Sequence, residues 1–155
     1  MCGIAGIISP DKNFLNPDVL KNMAAAIAHR GPDGEGYWIN RKNNAGLAHR
    51  RLAIIDLSEA AAQPMHYMHQ YSIVYNGEIY NYIELKRELK KSGYHFFTES
   101  DTEVILAAYD CYREKCLQYL DGMFAFAIWD EKEQCLFAAR DRFGEKPFYY
   151  YSEKN

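Results

Sequence analysis

The sequence predicts an α+β domain carried mainly by antiparallel strands. Three observations lead there. Short apolar and aromatic runs of strand length recur along the chain, and between them stand a few stretches with helical spacing. Their order is strands, helices, then strands, without the regular alternation that a parallel sheet requires. Aromatic residues make up 15% of the 155 residues, 13 of them tyrosines, a composition suited to pleated surfaces. At 48% hydrophobic and 25% charged, the chain is globular and long enough for one domain with a real core.

Charge and hydropathy exclude several classes of partner. Lys and Arg number 18 against 21 Asp and Glu, a net charge of -3, so no nucleic-acid partner is expected. No apolar run approaches the ~18 residues of a membrane helix, and no basic segment with a long apolar stretch opens the chain. Neither a membrane nor a secretory route is therefore expected. Cys2, Cys111, Cys116 and Cys135 are expected as free thiols in a reducing, cytoplasmic setting.

The elements follow in order. Ile4 to Ile8 is an apolar run with Gly6 inside it and reads as a buried strand. Asn16-Pro17-Asp18 joins a capping residue, a first-turn proline and an acid on the helix dipole. Val19, Leu20, Met23, Ala24 and Ile27 continue that helix to Gly31-Pro32. Strands are predicted around Gly36 to Ile39, Ala45 to His49, Leu52 to Asp56 and Tyr71 to Tyr75, the last closed by a turn at Asn76-Gly77. Tyr82 to Ser92 reads as a helix with Leu85 and Leu89 inward and Gly93 as its stop. Ser100-Asp101-Thr102-Glu103 has the capping-box pattern and opens a helix through Val104, Ile105, Ala108 and Tyr112. Phe124 to Trp129 and Gln134 to Ala139 form a hairpin, and Pro147 to Tyr151 reads as one more strand.

One cysteine stands apart by position. Removal of Met1 would leave Cys2 with a free α-amine. A thiol needs a base to become a nucleophile, and an α-amine with a pKa of roughly 7.7–8.0 supplies one without a histidine. The plain alternative is a small buried hydrophobe. Asn76-Gly77 offers a side-chain amide and a backbone N–H for an oxyanion, or is simply a tight turn. Arg51 can clamp a carboxylate, or sit as a strand-edge charge. Asp101 can hold an ammonium, or favour a helix start. The pairs Cys111/Cys116 and His66/His69 lack a second pair at zinc-like spacing, so no metal is expected.

Together these segments form an ordered set: Met1-Cys2-Gly3-Ile4, His29-Arg30-Gly31-Pro32-Asp33-Gly34, the run from Leu47 to Asp56, and Gln63-Pro64-Met65. Tyr75-Asn76-Gly77-Glu78-Ile79-Tyr80-Asn81, the run from Ser100 to Ile105, the run from Asp121 to Ala127, and Arg140-Asp141-Arg142-Phe143-Gly144 complete it. The set closely resembles the glutaminase domain of class II glutamine amidotransferases, on the branch of glutamine-hydrolysing asparagine synthetases, from Cys2 to about Tyr150.

The resemblance implies an N-terminal-nucleophile (Ntn) fold, a four-layer αββα sandwich of two antiparallel sheets between helical layers. It implies hydrolysis of glutamine to glutamate and ammonia. Cys2 matches the nucleophile, and Asn76 and Gly77 the oxyanion hole. Arg51 matches the carboxylate clamp, chosen over Arg50 because it immediately precedes Leu52. Leu52, Ala53, Ile54 and Ile55 line that end of the pocket, and Glu78 and Asp101 match the groups around the substrate ammonium. Arg30 to Asp33 is expected to shape the site. No cofactor is implied for this half. ATP and Mg2+ are implied for a synthetase domain in cis, whose nucleotide-binding loop is not among these residues. The expectation is therefore a glutaminase domain cut from a longer synthetase, with the ammonia acceptor chosen by the missing half. Family members commonly form homodimers. The competing expectation is a module that binds glutamine or a partner without turnover.

Overall fold

The structure, a computed structural model, describes residues 1–11, 13–53 and 58–153. Among these residues seven strands and three α-helices alternate irregularly: β1 (Gly3–Ile8), α1 (Pro17–Ala26), β2 (Gly34–Ile39), β3 (Ala45–Arg51), β4 (Met65–Tyr67), β5 (Tyr71–Ile79), α2 (Tyr82–Lys91), α3 (Asp101–Tyr112), β6 (Gly122–Asp130) and β7 (Cys135–Arg140). The strands make two antiparallel sheets, of order β1-β3-β2 and β4-β5-β6-β7.

The period of two along each strand sorts the side chains into layers. Ala48 and Ala5 face α1, whose Leu20 and Ala24 complete a core with Leu15. Ala45 and Leu47 point the other way, onto Val74, Ala127 and Trp129 of the second sheet. The opposite face of that sheet carries Ile73, Tyr75, Phe126 and Ile128, packed against Leu85 and Leu89 of α2 and Val104, Ile105 and Ala108 of α3. The layers are therefore helix, sheet, sheet, helix pair, the four-layer sandwich that the resemblance implied. Each large apolar side chain buried this way contributes roughly 1.5–3 kcal/mol.

Local signals explain where the elements begin. The Asn16 side chain accepts from Val19 N at 3.0 Å, with Pro17 in the first turn of α1. Gly93, at φ +92°, ends α2 in a conformation that only glycine adopts cheaply. Ser100 caps α3 by accepting from Thr102 N. Glu103 does not close the expected box; its carboxylate accepts from Phe97 N, Thr98 N and Thr98 Oγ1 and so ties down the preceding loop.

Three expectations are corrected. Asn76-Gly77 is not a turn: β5 runs through it to Ile79, paired in register with Ala125 and Phe124 of β6. Glycine is there for space, because a Cβ at Gly77 would overlap Met123 O and the Phe124 backbone. Leu52 and Ala53 lie outside any strand, since β3 ends at Arg51. The predicted continuation over Ile54, Ile55 and Asp56 lies outside the described residues. Pro147 to Tyr151 joins no described strand, and Tyr149, Tyr150 and Tyr151 are 84–92% exposed. Strand-like composition does not make a strand without a neighbouring edge to pair with.

Candidate active site

The open edge of β5 creates the site. β4 is only three residues long and stops covering β5 at Ile73. Beyond that point the backbone groups of Tyr75, Gly77 and Ile79 share one uncovered edge, because alternate residues of a strand present N–H and C=O to the same side. Side chains take over where β4 ends. Tyr75 N donates to Gln63 Oε1 at 2.6 Å, and Ile79 N donates to Asp101 Oδ2 at 3.0 Å. Gly77 N–H falls between these two satisfied donors and borders a cavity of about 130 Å³.

Cys2 stands across the cavity. It immediately precedes β1, whose Ile4 faces the second sheet, and alternation turns Cys2 to the same side. Leu52 N donates to its Sγ at 3.4 Å, and the thiol in turn lies 3.6 Å from Leu52 O. The loop before β2 bolts this arrangement down. Arg30 Nε donates to Cys2 O at 2.9 Å, Asp33 N donates to Arg51 O at 3.0 Å, and Asp33 Oδ2 accepts from Ala53 N at 3.0 Å. Gly31 lies so close to Arg50 and Arg51 that a Cβ there would overlap the β3 backbone.

The described members of the predicted set converge on this cavity: Cys2, Asn76, Gly77, Arg51, Leu52, Ala53, Glu78 and Asp101 all line it. Ile54 and Ile55 lie outside the described residues. Asn76 is 4% exposed and shares the inward face of β5 with Val74. Adjacent arginines diverge as strand neighbours must. Arg50 pairs with Glu35 away from the cavity, whereas Arg51 lines it and donates Nη1 to Ser58 O. Glu78 is exposed at the mouth. Asp101 is buried, and burial pushes its carboxyl up, opposed by the donors Tyr75 O–H at 2.7 Å and Ile79 N. Burial and the nearby Asp101 carboxylate raise the Tyr75 hydroxyl well above its usual range.

Three residues of this site carried no predicted role. His49, 1% exposed, donates Nε2–H to Tyr75 O at 3.2 Å. Burial lowers its pKa to about 4, so at neutral pH it is an uncharged bridge between the sheets, with Nδ1 buried and unpartnered among the described residues. Its alternation with Ala45 and Leu47 was the available signal. Gln63 holds the β5 edge in place of the missing stretch of β4. Lys146 is 6% exposed and lines the cavity although it follows a polar turn; no sequence signal marks it. That turn is wound around Asp141, whose carboxylate accepts from Phe124, Phe143, Glu145 and Lys146 N–H groups. Burial would raise Asp141, but these donors outweigh it and hold the carboxyl below its usual range.

A cysteine at the second position, facing an uncovered strand edge across the inside of an αββα sandwich, defines the class of N-terminal-nucleophile domains. Comparison with known proteins carries this further: the family described as the glutamine amidotransferase domain matches residues 1–155, and the chain belongs to it. It is 47% identical over 154 residues to asparagine synthetase [glutamine-hydrolyzing] 1 of Bacillus subtilis, covering 97% of this chain and 24% of that protein. It is 46% identical over 172 residues to putative asparagine synthetase [glutamine-hydrolyzing] 2 of Methanocaldococcus jannaschii, covering 100% of this chain and 33% of that one. The chain thus spans a quarter to a third of the length of these relatives. The glutamine phosphoribosylpyrophosphate (PRPP) amidotransferase of B. subtilis, solved with ADP and GMP, shares the fold at TM-score 0.61 and 21% identity, over 84% of this chain and 35% of that one. Among the described residues no helix is long and apolar enough to cross a membrane.

Proposed function

We propose that this chain hydrolyses glutamine through a thioester on Cys2. The observation that carries the reading is Gly77 N–H on the open edge of β5, beside Asn76 and across a small cavity from the Cys2 thiol. With Met1 removed, the α-amine of Cys2 takes the thiol proton and Sγ attacks the side-chain amide carbon. The Asn76 side-chain N–H and Gly77 N–H receive the developing oxyanion. The amine passes its proton to the departing ammonia, and water then releases glutamate. Arg51 clamps the substrate carboxylate, with Leu52 and Ala53 along that wall. Glu78 and Asp101 hold the α-ammonium.

For the whole protein we propose that a synthetase domain in cis uses the ammonia in an ATP-dependent amidation of aspartate. The names of the relatives, glutamine-hydrolysing asparagine synthetases, support this. The sequence has no Walker-type loop for ATP, and among the described residues no three His, Cys, Asp or Glu side chains are grouped to hold a metal ion. The glutaminase step needs neither. The test is intact mass before and after an electrophilic glutamine analogue, with ammonia release measured alongside. A chain lighter by one methionine, carrying a single adduct on Cys2 and releasing ammonia from glutamine, is the expected result. A Met1-free chain that binds glutamine without adduct or ammonia would make it a binding module.

A further inference from the structure

Lys146 is an anomaly in this cavity. A lysine is almost never buried without a partner, yet this one is 6% exposed. Among the described residues its ammonium has one polar neighbour, Met1 Sδ at 3.2 Å. A thioether is a weak acceptor and neutralises nothing. The backbone at Lys146 is held from two sides: its N–H donates to Asp141 Oδ2 at 3.0 Å, and its carbonyl accepts from Arg140 Nε at 2.8 Å. The whole turn therefore fixes where this side chain starts.

We propose that Lys146 is an electrostatic positioning residue for the nucleophile, switched into play when Met1 is removed. The inference rests on reading Cys2 as an N-terminal nucleophile. Its one polar contact is to the residue that must leave. Met1 Sδ lies, by covalent geometry alone, no more than about 6 Å from the Cys2 nitrogen. The Lys146 ammonium therefore sits within about 9 Å of the group that becomes the α-amine. Loss of Met1 removes the contact that the ammonium makes with Sδ.

A fixed positive charge there acts in one direction on both members of the pair. It disfavours the α-ammonium, keeping the amine free to accept a proton. It favours the thiolate over the thiol. The other charges facing this space do not cancel it. Arg30, from the loop before β2, donates to Cys2 O, and Arg51, from β3, is turned to Ser58 O; both carry the same sign as Lys146 and are unchanged in its variants. The Asp101 carboxylate, at the start of α3, is occupied by Tyr75 O–H and Ile79 N–H. Glu78, from β5, and Glu145, in the Lys146 turn, are exposed. Asp141 is enclosed by backbone donors, and His49 is uncharged at neutral pH.

The test uses the chain with Met1 removed and follows iodoacetamide labelling of Cys2 against pH, beside glutamine turnover. In Lys146→Met the midpoint of the labelling profile is expected to rise by about one pH unit, from a charge at this distance and an effective dielectric near 20. Labelling and turnover at neutral pH then fall roughly tenfold. Lys146→Arg, which keeps the charge, is expected to restore the midpoint. A merely structural lysine would change thermal stability or KM and leave the midpoint in place. A Lys146→Met profile that superimposes on an active parent overturns the role of Lys146 alone, as does a displaced midpoint that Lys146→Arg fails to restore. A parent that neither labels at Cys2 nor hydrolyses glutamine overturns the nucleophile reading and this one together.

Discussion

The two ends of the space between the sheets are built on the same strand faces and behave in opposite ways. At one end Leu47, Val74, Ala127 and Trp129 close on each other in an apolar core. At the other, two residues further along the same faces, stand His49 and Asn76, bordering a cavity with Cys2. The alternation is unbroken between the ends. What changes is the cover on β5: β4 pairs with it at the closed end and is gone at the open one. The candidate site is therefore the same core continued past the end of a short strand, with polar side chains doing the hydrogen bonding that a neighbouring strand does elsewhere.

Substitutions at the two ends should separate activity from stability. Cys2→Ala is expected to abolish ammonia release from glutamine while the unfolding midpoint stays put, because the site loses its proposed nucleophile and the core nothing. Full activity in that variant would break the comparison outright. Trp129→Ala, at the closed end, is expected to cost about 3–5 kcal/mol in denaturant unfolding and to leave the specific activity of the folded chain unchanged. Asn76→Ala should lower kcat by roughly 10²–10³-fold, with glutamine binding by calorimetry little altered, since an oxyanion donor acts in the transition state.

The pH dependence of stability sharpens the same contrast. His49 is held neutral by burial, with a pKa of about 4 against an ordinary 6.5. The unfolded chain takes up a proton at this residue as pH falls below 6.5, and the folded chain resists until about 4. His49 therefore leaves stability untouched above that window and erodes it within, by about 3 kcal/mol across the whole range. Unfolding free energies of the parent and His49→Gln, measured through this interval, should diverge in slope; parallel curves would show that His49 is not buried neutral. The smallest effect separates neighbours. Arg51→Ala should raise KM for glutamine, while Arg50→Ala, which removes the half-exposed pair with Glu35, should leave KM unchanged and cost no more than about 1 kcal/mol of stability.

Much of this is legible in the sequence. The caps at Asn16 and Ser100 act within a few residues, and the inward faces of the helices at Leu20, Ala24, Leu85 and Leu89 follow from the helical period. The resemblance named Cys2, Arg51, Asn76, Gly77, Glu78 and Asp101 as members of one site, and they line one cavity. The Asn76-Gly77 dipeptide is a strong local turn signal, yet it stands inside a strand. The long pairing with β6 overrode it, and close backbone approach, not a positive φ, required the glycine. Pro147 to Tyr151 is the converse, a strand composition without a partner edge among the described strands.

Short-range physics thus set, from the sequence alone, the fold class, the helix starts, the alternation of each strand and the one cysteine that can bring its own base; the first helix, expected to run to Gly31-Pro32, ends at Ala26. Tertiary structure decided the rest. The length of β4 determines which edge of β5 is bare. Tyr75 N and Ile79 N are satisfied by residues distant in sequence, Gln63 and Asp101, and Gly77 N–H lies between them. His49 spans two sheets, and Lys146 reaches the N-terminus from the far end of the chain. The physical reason is the same each time. Burial and hydrogen-bond partnership depend on which distant segments meet, and no local pattern of residue types records that.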